Sequence, residues 1–113
     1  MSEYPDRVLL SPAEGIGRLP TPEGKRFVEM YRHGTLVVEI YAPRGSDPQK
    51  PHTRDELYVV VAGEGLFYDG KERRQFRAGD LIFVPAHVEH RFERFTDDLV
   101  VWVMFYGPEG GEK

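Results

Sequence analysis

Two imidazoles and one carboxylate, His52, Glu56 and His90, are the side chains of this sequence best suited to chemistry. Two imidazole nitrogens and a carboxylate oxygen form a donor set that suits zinc, and also iron or manganese with coordination positions left open. His52 and Glu56 lie four residues apart in Pro51-His52-Thr53-Arg54-Asp55-Glu56-Leu57-Tyr58. In one regular strand they would share a face with Arg54, whose guanidinium would oppose a bound cation. Thr53-Arg54-Asp55 is turn-like in composition. The sharper reading therefore ends one strand at His52, starts the next at Glu56 and throws Arg54 outward. His90 lies in Val88-Glu89-His90-Arg91-Phe92, where alternation groups it with Val88 and Phe92. Burying an imidazole there without a partner costs about 1–3 kcal/mol, and a metal ion would supply the partner.

The elements that must hold these residues read as strands. Phe27–Tyr31 is followed by a turn at His33-Gly34 and then by Leu36–Tyr41. After a loop from Pro43 to Pro51 come Leu57–Val61, Leu66–Tyr68, Leu81–Val84, Val88–Phe95 and Leu99–Tyr106. Short runs of Val, Ile, Tyr and Phe broken by Gly and Pro mark an antiparallel sandwich or barrel. Asp69-Gly70 carries the strongest hairpin signal, since a two-residue primed turn needs positive φ. No segment sustains a helical apolar period, so little or no helix is expected. Residues 1–24, rich in Pro and Gly, read as an irregular arm with a short strand at Val8-Leu9-Leu10. Residues 25–107 read as the barrel and 108–113 as a mobile tail. Leu99–Tyr106 is apolar on both alternating faces, so either the arm or a second subunit must cover it outside the barrel.

A chain of 113 residues is one domain with a real core. Its net charge of −4 argues against a nucleic-acid partner. Lys71-Glu72-Arg73-Arg74 is the one basic run, and it reads as a solvated edge beside a turn. Absence of cysteine removes disulfides, thiolate ligands and thiol nucleophiles together. The longest apolar run has eight residues, from Leu99 to Tyr106, against the roughly 20 of a membrane helix. The expectation is a soluble, cytoplasmic protein with a homodimeric assembly and no membrane partner.

The spacing of these residues resembles that of the cupins, small double-stranded β-helix (jelly-roll) barrels. Their first motif has two His one residue apart, then Glu after three or four residues and Gly after six more. His52, Glu56 and Gly63 match its second His, its Glu and its Gly. In the second motif Gly79, Pro85 and His90 match in spacing. Residues 47–58 also look like a compact single-domain bacterial subgroup whose members mostly lack an assigned reaction. The resemblance implies an all-β cupin barrel with a metal held by His52, Glu56 and His90. Lys50 stands at the family's first His, His87 where Gly is usual and Arg94 where Asn is frequent.

Three outcomes follow from Lys50: a triad with open positions, a gap filled by Gln49 or Asp47, or weak or absent metal. Tyr58 and His87 are the expected pocket-lining residues, and no general base is evident beyond them. The function expected is a mononuclear site for iron, zinc, manganese or nickel that binds or transforms a small organic molecule. The alternative is a noncatalytic ligand-binding barrel with weak or no metal. A metal-free enzyme with a His base and a Tyr acid matches the residues less well.

Overall fold

Alternating β-branched and aromatic residues favour extended backbone that presents every second side chain to a core, and most of this chain obeys that pattern. The computed structural model describes residues 4–113. A five-residue helix, α1 (Pro12–Ile16), precedes β1 (Phe27–His33), β2 (Leu36–Tyr41), β3 (Asp55–Ala62) and β4 (Glu64–Tyr68). β5 (Arg73–Arg77), β6 (Leu81–Val84), β7 (Arg91–Glu93) and β8 (Val100–Tyr106) follow. One antiparallel sheet runs β1-β2-β8-β3-β6 and the other β5-β4-β7. Tyr58, Val60, Val84, Val101 and Val103 of the first sheet meet Phe67, Phe76 and Phe92 of the second in one buried core. Phe92 sits at its centre, with ring centroids 4.9 Å from Tyr58, 5.1 Å from Phe67 and 5.2 Å from Phe76. The result is the expected all-β jelly roll.

Most expected strands are present, and the differences have local causes. The 88–95 segment yields only the three residues of β7. Its first part is a loop, in which His87 adopts φ 68° and His90 Nδ1 lies 2.8 Å from its own segment's Val88 carbonyl. The β4–β5 connection is longer than a two-residue turn, with Tyr68 paired to Arg73. The Asp69 carboxylate closes it by accepting from the Lys71 and Glu72 N–H groups at 2.9 and 2.8 Å. The basic run thus enters an edge strand, β5, in which only Phe76 is buried.

The arm does cover the outer face. It contains α1 rather than a strand at Val8-Leu9-Leu10, which pairs with no strand among the described residues and leaves Leu9 exposed. Leu10 and Leu19 pack against Met30, Ile40, Ala42 and Val100 in a second apolar cluster outside the barrel. This cover reaches only part of the sheet. Leu81 and Phe83 on β6 remain 63% and 50% exposed, beside Val59 and Leu57 of β3 on the same outer face. The tail, expected to be mobile, is tied down: Gly110 N–H donates to the Thr53 carbonyl at 2.6 Å and Glu112 N–H to Asp55 Oδ2 at 2.9 Å.

The arm's contact depends on Gly15, where an added Cβ would fall 2.6 Å from Ile40 Cγ1. Gly15→Ala should therefore lift α1 from β2 and lower stability by about 1–3 kcal/mol, as overpacking does elsewhere. Urea unfolding measures this directly, and an unchanged midpoint would show that the arm contributes nothing through that approach.

Candidate metal centre

Each of the three candidate ligands reaches the site from a different local structure. Glu56 is the second residue of β3 and points inward because its neighbour Leu57 faces outward with Phe83 and Met104. His52 lies in the loop before β3, beyond the Thr53-Arg54 bend, as the turn-like composition implied. Arg54 turns away, and its guanidinium donates to the Thr35 carbonyl. His90 ends the loop before β7. One ligand atom from each lies within 4.8 Å of the others. Glu56 Oε1 is 2.6 Å from His52 Nε2 and 3.1 Å from His90 Nε2.

The two loops are stitched to each other through backbone groups. His87 N–H donates to the His52 carbonyl at 2.7 Å, and Ala86 N–H to Asp55 Oδ1 at 2.9 Å. Phe92 N–H donates to Asp47 Oδ2 at 2.8 Å. The Glu112 and Ala86 N–H groups hold the Asp55 carboxyl below its ordinary range. His87 itself is an exposed loop residue that contributes its backbone, while the cavity is lined by other segments.

Hydrogen bonding fixes how the imidazoles present themselves. His52 Nδ1 lies 2.8 Å from the Arg54 carbonyl and His90 Nδ1 2.8 Å from that of Val88. A carbonyl only accepts, so each Nδ1 carries a proton. Nε2 of each ring faces Glu56, as a lone pair when the ring is neutral and as an N–H donor when it is protonated. Behind them, Gln49 Nε2 donates to Asp47 Oδ2 at 2.7 Å, which leaves Gln49 Oε1 to accept from Tyr58 OH at 3.0 Å. Tyr58 oxygen is also 3.2 Å from His90 Nε2. Three acceptors thus converge, and two of them, Glu56 and His90, are almost wholly buried. Such a set needs a proton or a cation at its centre, and two imidazoles with a carboxylate fit a divalent ion.

Charge follows the same geometry. Burial opposes a charge on His52, but the hydrogen bond and charge of Glu56 outweigh it and raise the imidazole above its ordinary range. Burial likewise pushes Glu56 up, and its bonds to His52 and His90 outweigh that and hold it low. Asp47 is not free to ligate. It is buried and accepts hydrogen bonds from Gln49, Phe92 N–H and the Tyr41 hydroxyl.

The site opens into a cavity of about 620 Å³ lined by residues that include Glu39, Tyr41, Gln49, Lys50, His52, Glu56, Tyr58 and Phe105. Glu39 is the residue that the sequence reading missed. On β2 it shares the inner face with Val37 and Tyr41, in register with Val103 of β8, which in turn pairs with Tyr58. Among the described residues it has no hydrogen bond or ion pair. Burial, followed by the charges of Glu56 and Glu29, pushes its carboxyl up to about 7. The signal was available: a lone charge within Leu36-Val37-Val38-Glu39-Ile40-Tyr41 must face the interior if Val37 and Tyr41 do.

The comparisons with known proteins agree with this geometry. The family model described as a cupin domain matches residues 37–106. The chain is a cupin. An uncharacterized protein of Streptomyces coelicolor is 38% identical over 85 residues, covering 74% of this cupin and 81% of that protein. An acireductone dioxygenase of Bacillus cytotoxicus is 38% identical over 65 residues, which is 53% of this cupin but only 38% of that enzyme. That of Pseudomonas syringae pv. tomato is 31% identical over 97 residues, 54% of its length. Among solved structures, the plu4264 protein of Photorhabdus luminescens shares the fold at a TM-score of 0.62 and 17% identity, covering 72% of this cupin and 73% of that chain. No helix among the described residues is long and apolar enough to cross a membrane.

The cupin motif's glycine has a physical cause here. Gly63 adopts φ 94°, and a Cβ on it would meet Leu99 Cα at 2.7 Å.

Glu39 makes stability depend on pH. Its folded-state value near 7 exceeds the ordinary 4.5, so the unfolded chain releases this proton first and stability falls as pH rises between those values. In metal-stripped protein, Glu39→Gln should gain about 1–3 kcal/mol over wild type between about pH 5 and about pH 8. Denaturant titrations at the two pH values test this, and parallel behaviour of both proteins would refute it.

Proposed function

We propose that this cupin holds one divalent metal ion through His52, Glu56 and His90 and uses it on a small organic molecule bound in the adjoining cavity. The observation that carries this reading is the convergence of both Nε2 atoms on Glu56 Oε1, with both Nδ1 atoms committed to backbone carbonyls. In the absence of a metal, the raised imidazole of His52 supplies the proton that such a cluster needs. Metal uptake should therefore release protons. When bound, iron, zinc, manganese or nickel would supply Lewis-acid polarisation or, for iron, oxygen chemistry.

The partial likeness to acireductone dioxygenases supports metal-dependent chemistry on a small oxygenated substrate, with oxygen consumption as the first activity to assay. This chain's own residues then have distinct tasks. Tyr58, buried and bonded to Gln49, orients beside His90. Gln49, the candidate additional ligand, stands one hydrogen bond behind the triad and reads as a positioning residue for Tyr58. Glu39, with a carboxyl that titrates near neutrality and no hydrogen bond or ion pair among the described residues, is suited to exchange a proton with a bound molecule. Lys50, at the position of the family's first His, is an exposed ammonium and offers no lone pair. That substitution supports the second reading, a noncatalytic barrel that binds its ligand with weak or no metal.

Elemental analysis of untagged protein tests the metal. Wild type should carry near-stoichiometric metal and His90→Ala almost none. Wild type that stays empty after reconstitution with iron, zinc, manganese and nickel would refute the site.

The uncovered apolar strip Leu81, Phe83, Leu57 and Val59 supports a homodimer formed through the β6 edge. Sedimentation at micromolar concentration should report a dimer for wild type and a monomer for Phe83→Glu. A monomeric wild type would exclude this assembly.

A further inference from the structure

The mouth of the cavity has a charge balance opposite to that of the chain. The protein carries a net −4, yet Lys25, Arg26, Arg44 and Lys50 line the same cavity as Glu39 and Glu56. Neither carboxylate neutralises them. Glu56 is bonded to the two imidazoles, and Glu39 makes no ion pair among the described residues.

The two arginines are held in place by backbone groups rather than by counter-ions. Arg26 Nε donates to the Ala42 carbonyl at 2.8 Å. Arg44 Nη1 donates to the carbonyls of Pro43 at 2.8 Å and Leu99 at 3.2 Å. Each guanidinium keeps further N–H donors beyond these bonds. Elsewhere Arg32, Arg73, Arg74 and Arg91 each meet a carboxylate within 3.1 Å. Among the described residues, Arg26 and Arg44 meet none; Arg18, Arg54, Arg77 and Arg94 also meet none, but of these six only Arg26 and Arg44 line this cavity. Burial first, and then the positive charge of Arg44, pull Arg26 below its ordinary range. A pair of fixed, like-charged forks beside a cavity is stabilised by an anion with two oxygens.

We propose that Arg26 and Arg44 form an anion-binding subsite at the cavity mouth, which grips a carboxylate or phosphate on the small molecule whose other end reaches the His52, Glu56 and His90 site. The proposal rests on the functional reading above for the far end of that molecule, but the subsite itself stands on the two arginines. Lys25 and Lys50 add long-range attraction that salt would screen. The substrate class follows: a small organic acid or phosphate ester, with the anion outermost.

Calorimetry with succinate, inorganic phosphate and the neutral analogue succinamide tests this on wild type, Arg26→Gln, Arg44→Gln and His90→Ala. Wild type should bind at least one anion, more weakly as ionic strength rises, and should ignore succinamide. Either arginine variant should weaken that binding about tenfold or more, the loss expected of a charge-assisted hydrogen bond. The preference between succinate and phosphate identifies the head group. Because Arg26 also tethers the loop at Ala42, Arg44→Gln decides the matter if Arg26→Gln melts early. Metal content measured on the same samples separates the two readings. Anion binding retained in His90→Ala, with metal lost, supports a subsite independent of the metal. An empty wild type that still binds anions through the arginines would remove the metal and leave the subsite. No anion binding, equal binding of succinamide, or binding unchanged in Arg44→Gln would overturn it.

Discussion

The arrangement depends on two buried aspartates that accept backbone N–H groups across the barrel mouth. Asp47 takes the N–H of Phe92, and Asp55 takes those of Ala86 and Glu112. Together with the His87 to His52 backbone bond, these contacts fix the loop before β3 against the loop before β7. Neither loop has a strand ladder to hold it, and buried backbone donors must find acceptors. The aspartates provide them. His52 and His90 meet Glu56 only because those loops are locked, and the tail closes over Asp55 for the same reason.

Around this clamp the interior of the barrel changes character along its axis. One end is an aromatic core centred on Phe92, packed edge-on. The other is a cavity whose polar groups are graded. Acceptors converge at the His52, Glu56 and His90 cluster, Glu39 lines the same cavity from β2, on the other side of β8 from Glu56, and cations gather at the rim. Such a gradient costs folding free energy, because Glu39, Arg26 and Arg44 have no oppositely charged partner among the described residues. Strain of this kind concentrates where a ligand is meant to complete the set.

Much of the fold was legible in the residues. Runs such as Leu36–Tyr41 and Leu81–Val84 became strands with those limits, since β-branched and aromatic alternation leaves little else. The two-sided apolar pattern of β8 required outer cover, and the arm supplies it at Ile40 and Val100. The 88–95 segment misled because its apolar alternation is the same whether the backbone pairs or loops. Only the positive φ of His87 and the bond of His90 to Val88 end the ladder. The tail gave no sign of its docking, because its partner Asp55 lies far away in sequence.

By itself, then, the sequence determined the antiparallel all-β class, the inward face of β3 that carries Glu56, and the donor types of the triad, because residue chemistry and a period of two are local properties. The jelly-roll class came from the likeness of its motif spacing to the cupins. Only the tertiary structure decided which nitrogen each imidazole presents, that Glu39 faces the same cavity, and that Arg26 and Arg44 stand at its mouth with no carboxylate partner among the described residues. Those depend on which backbone carbonyl or empty space comes to lie beside each side chain after the sheets have closed, and no spacing along the chain encodes that proximity.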